Sequence, residues 1–347
     1  MANKYFSVKN IESNKKIHKV INVLGIKMKF RNHRKEDRNR QIEQFNTLKN
    51  LIQKQQEQNK CFENRINKRL VNLSDKTSNQ IKHFIPKPYL TNIAVDISKH
   101  CNLNCRGCDH FSPLASPGFY DLNQYTSDIK RLAELAGENY IDRIGIMGGE
   151  PLLNPDVLKY LEVTRECCPK TKIRLVTNGI LLTQQDENFW LTLKRLNIFV
   201  EYTKYDINLD YEKLDSIIAK YEVPIDVYGY NKNAVKKSYK IPLDLQGNQN
   251  IVDNFLNCFH ANHCIALKDG RLYTCTVAPS IENFNKYFGY DLPLTDRDGI
   301  DIHKAQSMQE ILEFLAKPIP FCKYCNVNGR SFGHDWGISK KEISEWI

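Results

Sequence analysis

The spacing of three cysteines constrains this 347-residue chain more than any other feature. Cys101, Cys105 and Cys108 follow a C-x3-C-x2-C pattern, just after the apolar run Ile93–Ile97. We expect a strand followed by a tight loop to bring the three sulfurs together around one metal centre. Because three thiolates fill only three of the four positions of a cubane [4Fe–4S] cluster, one iron would stay open to a ligand that is not protein.

Short apolar runs alternate with helix-like segments from residue 91 to residue 228. The predicted strands are Ile93–Ile97, Asp142–Met147, Lys172–Thr177, Ile198–Tyr202 and Ile225–Tyr228, and the predicted helices are Tyr125–Gly137, Asp156–Cys168, Phe189–Leu196 and Tyr211–Tyr221. This alternation predicts an α/β fold with a parallel sheet, open or closed into a barrel.

Three motifs fall at the carboxyl ends of predicted strands, where active groups of such folds gather. They are the cysteine loop, Gly148-Gly149-Glu150 and Thr177-Asn178-Gly179. We therefore expect them to form one site. The two glycines would let the backbone approach a ligand closely.

The cysteine spacing resembles the signature of the radical S-adenosylmethionine (SAM) enzymes, in which SAM chelates the open iron. The resemblance implies a partial (β/α)6 TIM-like barrel over residues 90–245, with the [4Fe–4S] cluster on the three cysteines. It also implies that Gly148, Gly149 and Glu150 hold the methionyl amine of SAM, and that Asn178 and Thr203 contact its other polar groups. A turn asparagine with positive φ is the alternative for Asn178.

The chain departs from the family pattern just before the third cysteine. The family usually places there an aromatic residue that packs on the adenine of SAM, and this chain has Gly107. Adenine stacking is then expected from Phe111 or Tyr228.

A second group of cysteines lies in the last third of the chain. Asp269-Gly270 is a hairpin signal between Ile265-Ala-Leu and Leu272-Tyr-Thr, and Cys322 and Cys325 form a C-x2-C pair. The pattern resembles the twitch type of auxiliary-cluster domain, a shortened SPASM domain, over residues 246–347. It implies an auxiliary [4Fe–4S] cluster on Cys258, Cys275, Cys322 and Cys325. Cys264 would replace Cys258 or simply pack, and zinc is the alternative metal.

The positive charge of the chain belongs to its N-terminal part. Residues 1–90 carry 21 Lys and Arg against 7 Asp and Glu, whereas residues 91–347 carry 29 against 33. Residues 1–35 read as a basic module with a strand-like alternation at Ile26–Phe30, similar to short modules of bacterial capsule and lipopolysaccharide glycosyltransferases. It would either rest on an anionic membrane surface or be a solvated hairpin or arm. Nucleic acid is not expected as a partner, because aromatic residues do not interleave the charges.

Residues 36–85 read as a long helix without proline or glycine in residues 36–75. Apolar residues on alternating three- and four-residue steps form one stripe: Phe45, Leu48, Ile52, Phe62, Ile66 and Leu73. Gln55, Asn59 and Arg69 occupy the remaining stripe positions. The pattern predicts self-association through a short coiled coil, or a single helix lying on the enzyme domain.

Composition favours a cytoplasmic protein. The sequence lacks an apolar run of about 18 residues and a signal-peptide pattern. Clustered cysteines in a cytoplasmic chain indicate metal binding or catalysis rather than disulfides. Peripheral contact with the inner membrane face through residues 1–35 is the added expectation.

The resemblance implies an enzyme that reductively cleaves SAM to a 5′-deoxyadenosyl radical, which abstracts hydrogen from a substrate. The electron would come from a reductant such as flavodoxin or ferredoxin. Similarity to radical SAM proteins of surface-polysaccharide gene clusters favours oxidation or epimerisation of a nucleotide- or lipid-linked sugar. Candidate cations for such a substrate are Lys204, Lys236, Lys237 and Arg271.

Two other functions remain open at this stage. A peptide-modifying enzyme would carry the same clusters and bind a precursor peptide. A non-catalytic iron–sulfur scaffold would keep the cysteines without cleaving SAM, but it would have no use for Gly148-Gly149-Glu150.

Overall fold

The computed structural model describes residues 6–13, 16–23, 26–30, 35–137, 140–226 and 235–347. The chain divides into two compact units, Met1–Lys76 and Thr77–Ile347. None of the helices in these described ranges combines the length and the apolar character that crossing a membrane requires.

The N-terminal unit contains a small antiparallel sheet and most of a long helix. The strands are β1 (Phe6–Ser13), β2 (Lys16–Val23) and β3 (Ile26–Phe30), and the helix is α1 (Lys35–Ile81). Strand β2 lies in the centre and pairs with both neighbours. The predicted strand at Ile26–Phe30 and the predicted long helix are both present. Within the stripe of α1, Phe62 and Leu73 are each 61% exposed.

The second unit is built around a seven-stranded sheet. Its described strands are β4 (Ile93–Ser98), β5 (Arg143–Gly148), β6 (Lys172–Thr177), β7 (Phe199–Tyr202), β8 (Lys237–Lys240), β9 (Ile265–Lys268), β10 (Arg271–Tyr273), β11 (Gly299–Asp301) and β12 (Ser331–Asp335). Its helices are α2 (Leu122–Ala136), α3 (Val157–Cys167), α4 (Glu187–Arg195), α5 (Tyr211–Lys220), α6 (Ile251–Asn257), α7 (Val277–Phe288) and α8 (Met308–Leu315). The sheet order is β11-β10-β9-β4-β5-β6-β7, and β8 pairs separately with β12.

Strands β9, β4, β5, β6 and β7 run parallel. Apolar side chains of β4 to β6 are almost fully buried, as expected for a parallel sheet covered on both faces. The predicted α/β class with a parallel sheet is confirmed, and the arrangement is consistent with a partial TIM-like fold.

The predicted division at residues 245/246 does not separate two compact units. Strand β9 belongs to the C-terminal segment, yet it pairs with β4 through Ile93↔Ile265 and Val95↔Leu267. Because backbone hydrogen bonds join the two segments in one sheet, residues 77–347 fold as one unit. The boundary of the first unit likewise falls inside α1 rather than at residue 35 or 85.

Aspartate caps explain why some helices begin earlier than predicted. Helix α2 begins at Leu122 rather than Tyr125, because the Asp121 side chain accepts a hydrogen bond from the Gln124 backbone N–H at 2.9 Å. Helix α4 similarly begins after Asp186. The predicted fifth strand is represented by Ile225, which forms a parallel bridge with Val200, while residues 227–234 lie outside the described ranges.

The hairpin predicted at Asp269-Gly270 is present between β9 and β10. Both loop residues have positive φ, 47° and 72°, and Lys268 pairs with Arg271 across the turn. This is the geometry of a two-residue type I′ turn, which favours the Asp-Gly pair.

Candidate functional site

A cavity of about 330 Å³ lies where β4 to β7 end at the carboxyl edge of the sheet. Its lining includes most of the residues that the sequence analysis selected for one site: Cys101, Cys105, Cys108, Gly148, Gly149, Asn178 and Thr203. These residues come from four different strand ends and meet because the strands are parallel.

The two glycines are required by the close approach of two backbone segments. A Cβ atom at Gly149 would lie 2.1 Å from the carbonyl oxygen of His100, and one at Gly148 would lie 2.3 Å from that of Ser98. Gly149 N donates to Ser98 O at 2.8 Å, and Glu150 N donates to His100 O at 3.0 Å. The missing side chains therefore face the protein backbone. The expected close approach of a ligand to these glycines stays a prediction. The glycine peptide groups themselves line the cavity.

Glu150 is fully buried and lies behind the cavity wall. Its Oε1 accepts hydrogen bonds from Thr177 Oγ1 at 2.6 Å and Leu152 N at 3.1 Å, and its Oε2 accepts from Asn178 N at 2.8 Å. Burial raises the pKa of Glu150, while the three donors favour its ionised form. The carboxylate joins the turn after β5 to the turn after β6, and the contact of Glu150 with the methionyl amine of SAM stays a prediction.

Asn178 connects the turn after β6 to the cysteine loop. Its Nδ2 donates to Asn102 Oδ1 at 2.7 Å and lies 3.8 Å from Cys101 Sγ. The residue with positive φ in this turn is Gly179, at 84°, and not Asn178. A left-handed backbone conformation is therefore not the reason for an asparagine at position 178. Thr203 N donates to Thr177 O at 3.3 Å, which fixes Thr203 at the cavity edge.

The three thiols of the cysteine loop are held in a largely buried setting. Burial raises the pKa of Cys101, Cys105 and Cys108. Backbone N–H groups nevertheless point at the sulfurs, for example Leu103 N at 3.4 Å from Cys101 Sγ. The N–H donors favour the thiolate form, whereas burial makes a free thiolate costly. A metal cluster resolves this conflict, because its positive charge deprotonates the thiols.

The C-terminal segment, residues 335–346, packs on the cysteine loop. Arg106 N donates to Gly337 O at 2.8 Å, and Ser339 N donates to Asn104 O at 2.8 Å. This contact was not predicted, because an irregular segment more than 200 residues away in the sequence carries no motif that indicates its partner.

Gly107 has a structural reason to replace the expected aromatic residue. Its φ is +63°, which side chains rarely adopt, and a Cβ atom there would lie 3.4 Å from Glu345 O of the C-terminal segment. Phe111, one of the predicted adenine contacts, is buried in the core against Phe284 and does not line the cavity. The other, Tyr228, lies outside the described residues.

Among the described residues, Tyr205, Tyr239 and Trp336 are the phenol and indole side chains that line the cavity. Trp336 Nε1 donates to Cys105 Sγ at 3.1 Å, and its ring centroid lies 5.4 Å from that of Tyr205. None of the three was selected from the sequence.

The four cysteines predicted to hold an auxiliary cluster line a second, small cavity. Cys258, Cys275, Cys322 and Cys325 share it with apolar side chains such as Phe321. Burial raises the pKa of each thiol, to about 12 for Cys322.

Backbone and side-chain donors organise this second thiol cluster. Cys275 receives the backbone N–H groups of Val277 and Ala278, at the start of α7. Asn254 Nδ2 donates to the carbonyl oxygens of Cys322, at 2.7 Å, and Cys325. Asn254 is 3% exposed, so it holds the C-x2-C turn from within the protein.

Cys264 lies in the first cavity and not in the second. The two cavities adjoin at this point, because the Cys258 thiol is close enough to help raise the pKa of Cys264. The choice between Cys258 and Cys264 as cluster ligand stays a prediction. Burial raises the pKa of Cys264 to about 11. His260 borders both cavities.

Two acid–histidine contacts lie beside the cysteine loop. His110 Nδ1 is 2.7 Å from Asp96 Oδ2, and this carboxylate raises the pKa of His110 to about 9 against the opposing effect of burial. Tyr239 donates its hydroxyl hydrogen to Asp109 Oδ2 at 2.7 Å, and His260 Nε2 lies 3.6 Å from the same oxygen. The first cavity is therefore also lined by polar groups that are not part of the cysteine motif: Asp109, His110, Tyr239 and His260.

Of the four predicted substrate cations, Lys236 lines the cavity. Lys237 pairs with Asp335 at 2.5 Å, and Lys204 lies 3.9 Å from Asp215. Arg271 donates to the backbone carbonyl of Gly299 and so links the paired strands β10 and β11. Arg106, which the sequence analysis did not select, also lines the cavity.

Within the described ranges, no group of three or more His, Cys, Asp or Glu side chains is arranged to hold a single metal ion. Thiolates at the corners of a cubane cluster stand farther apart than the ligands of one ion, so this observation concerns single-ion sites.

Residues 95–225 match the model of the radical SAM superfamily. The chain contains a radical SAM domain. Proteins of this family use a [4Fe–4S] cluster and SAM, and the domain spans the cysteine loop and the ends of β5, β6 and β7 that form the first cavity.

Curated relatives share this domain. The chain is 32% identical over 116 residues to a GTP 3′,8-cyclase of Clostridium acetobutylicum, a match that covers 33% of this chain and 36% of the relative. It is 28% identical over 134 residues to a probable GTP 3′,8-cyclase of Pyrococcus abyssi, covering 37% and 42%. The chain thus spans about two fifths or less of the length of these relatives.

Solved structures of radical SAM enzymes also align with the chain. BtrN in complex with AdoMet and 2-DOIA covers 70% of this chain and 94% of its own, at 18% identity and a TM-score of 0.44. Streptococcus suis SuiB bound to its precursor peptide SuiA covers 74% of each chain, at 14% identity and a TM-score of 0.36.

Proposed function

We propose that this protein is a radical SAM enzyme whose [4Fe–4S] cluster is held by Cys101, Cys105 and Cys108. The carrying observation is that these thiols, the Gly148-Gly149 peptide groups and Asn178 line one cavity at the carboxyl edge of a parallel sheet. When bound, the cluster and SAM supply one-electron chemistry that yields methionine and a 5′-deoxyadenosyl radical able to abstract hydrogen.

The chain's own residues bind and orient SAM in this proposal. The glycines contribute only peptide groups to the cavity, and because Gly149 N already donates to Ser98 O, carbonyl oxygens are the glycine groups that would accept from SAM. Asn178 and Thr203 supply polar side chains at the neighbouring strand ends. Glu150 acts from behind the wall by holding Thr177 and the Asn178 backbone in place.

We further propose that Cys258, Cys275, Cys322 and Cys325 hold one auxiliary [4Fe–4S] cluster in a twitch-like arrangement. Four buried thiols share a cavity, and N–H groups at the start of α7 point at Cys275. Hydrogen bonds to the sulfurs and a dry apolar wall are properties that tune such clusters. Zinc remains the alternative occupant.

The proposed substrate is a sugar, nucleotide- or lipid-linked, that is oxidised or epimerised in surface-polysaccharide biosynthesis. Support comes from polar groups that line the first cavity and are not among the proposed SAM contacts, namely Asp109, Tyr239, Glu201 and Lys236. Tyr239 donates to Asp109 and Glu201 pairs with Arg174, so a substrate would use their remaining donor and acceptor positions. Such a set can hydrogen-bond several hydroxyl groups at once. Lys236 and Arg106 add positive charge suited to a phosphate.

The experiment uses anaerobically reconstituted protein with dithionite, SAM and a panel of UDP- and GDP-linked sugars. A substrate should increase the formation of 5′-deoxyadenosine. An oxidised sugar product should lack two hydrogens, whereas an epimerised product formed in deuterated solvent should carry one deuterium and otherwise have the formula of the substrate. A Cys322→Ala/Cys325→Ala variant should still cleave SAM. Stimulation by a synthetic precursor peptide and not by any sugar would favour the peptide-modifying alternative.

We also propose that α1 mediates self-association. The apolar stripe that includes Phe62, Ile66 and Leu73 is exposed in the single chain, and Asn59 interrupts it at a stripe position. Polar residues at such positions fix register at a cost in stability. Membrane contact through residues 1–35 remains a prediction from charge.

A further inference from the structure

Cys105 differs from the other two cysteines of its loop in the donors that reach its sulfur. Trp336 Nε1 donates to Cys105 Sγ at 3.1 Å, and the Tyr205 hydroxyl lies within hydrogen-bonding reach of the same thiol. The sulfurs of Cys101 and Cys108 receive backbone N–H groups from residues that follow them in the same loop. Cys101 Sγ has one distant side-chain donor, Asn178 Nδ2 at 3.8 Å. Cys105 Sγ is thus the sulfur that two distant side chains approach, with the Trp336 donor 0.7 Å closer than that of Asn178.

The position of Trp336 is fixed by the backbone on both sides. Preceding it, β12 pairs with β8 up to Asp335↔Lys237. Following it, Gly337 O accepts from Arg106 N at 2.8 Å, and Ile338 forms an antiparallel bridge with Cys105. The indole is thus presented to the sulfur by a segment that pairs with the cysteine loop itself.

Tyr205 is held equally firmly after β7. Its backbone N–H donates to Tyr211 Oη at 2.8 Å, and the Tyr211 hydroxyl donates to Tyr205 O at 3.1 Å. The Tyr205 ring packs on that of Trp336, with centroids 5.4 Å apart. The two donors support each other and shield the sulfur.

We propose that Trp336 and Tyr205 are positioning residues that set the reduction potential of the cluster held by Cys101, Cys105 and Cys108. The inference rests on the proposed function of these cysteines. A hydrogen bond to a ligating sulfur withdraws negative charge from the cluster, which stabilises the reduced, more negative state more than the oxidised state. The C-terminal segment would thereby make the electron that starts the reaction easier to deliver.

The test measures the cluster potential in the full-length, anaerobically reconstituted protein. Redox titration followed by electron paramagnetic resonance would track the signal that changes when SAM is added, which separates this cluster from an auxiliary one. Trp336→Phe keeps an aromatic ring beside Tyr205 and removes the N–H donor. We expect its potential to shift to more negative values, with the iron content unchanged.

Trp346→Phe is the matched control. Trp346 belongs to the same C-terminal segment, and its Nε1 donates at 2.9 Å to the backbone oxygen of Cys108 instead of to a sulfur. We expect this variant to leave the potential near the wild-type value. An equal shift in both variants would overturn the inference, because the effect would then come from packing on the loop.

Tyr205→Phe provides an independent test should Trp336→Phe fail to fold. It removes one hydroxyl and should also shift the potential to more negative values, and the double variant should shift further than either. An unchanged potential in both Tyr205→Phe and Trp336→Phe would contradict this inference and leave the proposed function standing. Absence of any SAM-responsive cluster in the wild-type protein would overturn the proposed function as well.

Discussion

Gly149→Ala tests whether the Gly-Gly pair serves the protein backbone or a ligand. The added Cβ atom would lie 2.1 Å from His100 O, 2.3 Å from His100 C and 2.9 Å from Cys101 N. These atoms are backbone and cannot rotate away. To reach an ordinary separation of about 3.4 Å from the oxygen, the segment that carries Cys101 must retreat by about 1.3 Å.

The cost follows from the contacts that this retreat breaks. Overpacking of this kind costs about 1–3 kcal/mol. The bonds Gly149 N→Ser98 O and Glu150 N→His100 O would be lost or weakened, at about 1 kcal/mol each. We therefore expect the free energy of unfolding to fall by about 3–5 kcal/mol, a large share of the stability of a typical domain.

The assay combines urea unfolding of the reduced apoprotein with iron analysis after reconstitution. Gly149→Ala should lower the unfolding midpoint and lose the iron of the cluster at Cys101, Cys105 and Cys108. Gly118→Ala is the control, because its Cβ atom would meet only Lys99 Cδ at 3.5 Å and Ser116 O at 4.0 Å. Full iron content and unchanged unfolding in Gly149→Ala, with weaker SAM binding alone, would refute this reasoning and favour the ligand interpretation.

Three further predictions concern other parts of the chain. Cys264→Ala should leave the iron content unchanged, because Cys264 lies in the first cavity; loss of about four irons would make it an auxiliary ligand. Asn254→Asp directs a carboxylate at two carbonyl oxygens, so iron analysis should show loss of the auxiliary iron alone, and full retention would contradict the role given to Asn254. Phe62→Asp should reduce the molar mass measured by light scattering, whereas Gln58→Asp, off the stripe, should not; equal masses for both variants and wild type would argue against the coiled coil.

The elements that the sequence predicted well are those set by local pattern. Strand β6 occupies Lys172–Thr177 as predicted, and the Asp269-Gly270 turn has the two positive φ angles that this pair favours. Helix starts were misplaced by two or three residues where the capping aspartates Asp121 and Asp186 were not read. Those caps are local signals and were available in the sequence.

The site was harder to predict where its residues act through distant partners. Cysteine spacing and strand ends identified the cavity, since both are local in the chain. The same patterns could not reveal that Glu150 faces the protein interior, because its three donors come from the folded turn after β6 and from Leu152. Trp336 was missed for a similar reason, since only the folded C-terminal segment brings it to Cys105.

The pairing of β9 with β4 is another non-local property. A change of motif at about residue 245 suggested a new domain. The pairing of Ile93 with Ile265 nevertheless joins the segments before and after this point in one sheet. Sequence periodicity predicts that a strand exists and does not say which strand it pairs with.

The central claim is best tested by counting iron and sulfide in the anaerobically reconstituted protein and then adding dithionite and SAM. We predict about eight irons per chain and formation of 5′-deoxyadenosine in the wild-type protein. The variant with Cys101, Cys105 and Cys108 all changed to Ala should keep about four irons and form none. Residual 5′-deoxyadenosine from that triple variant, at a rate close to wild type, would contradict the assignment of the site.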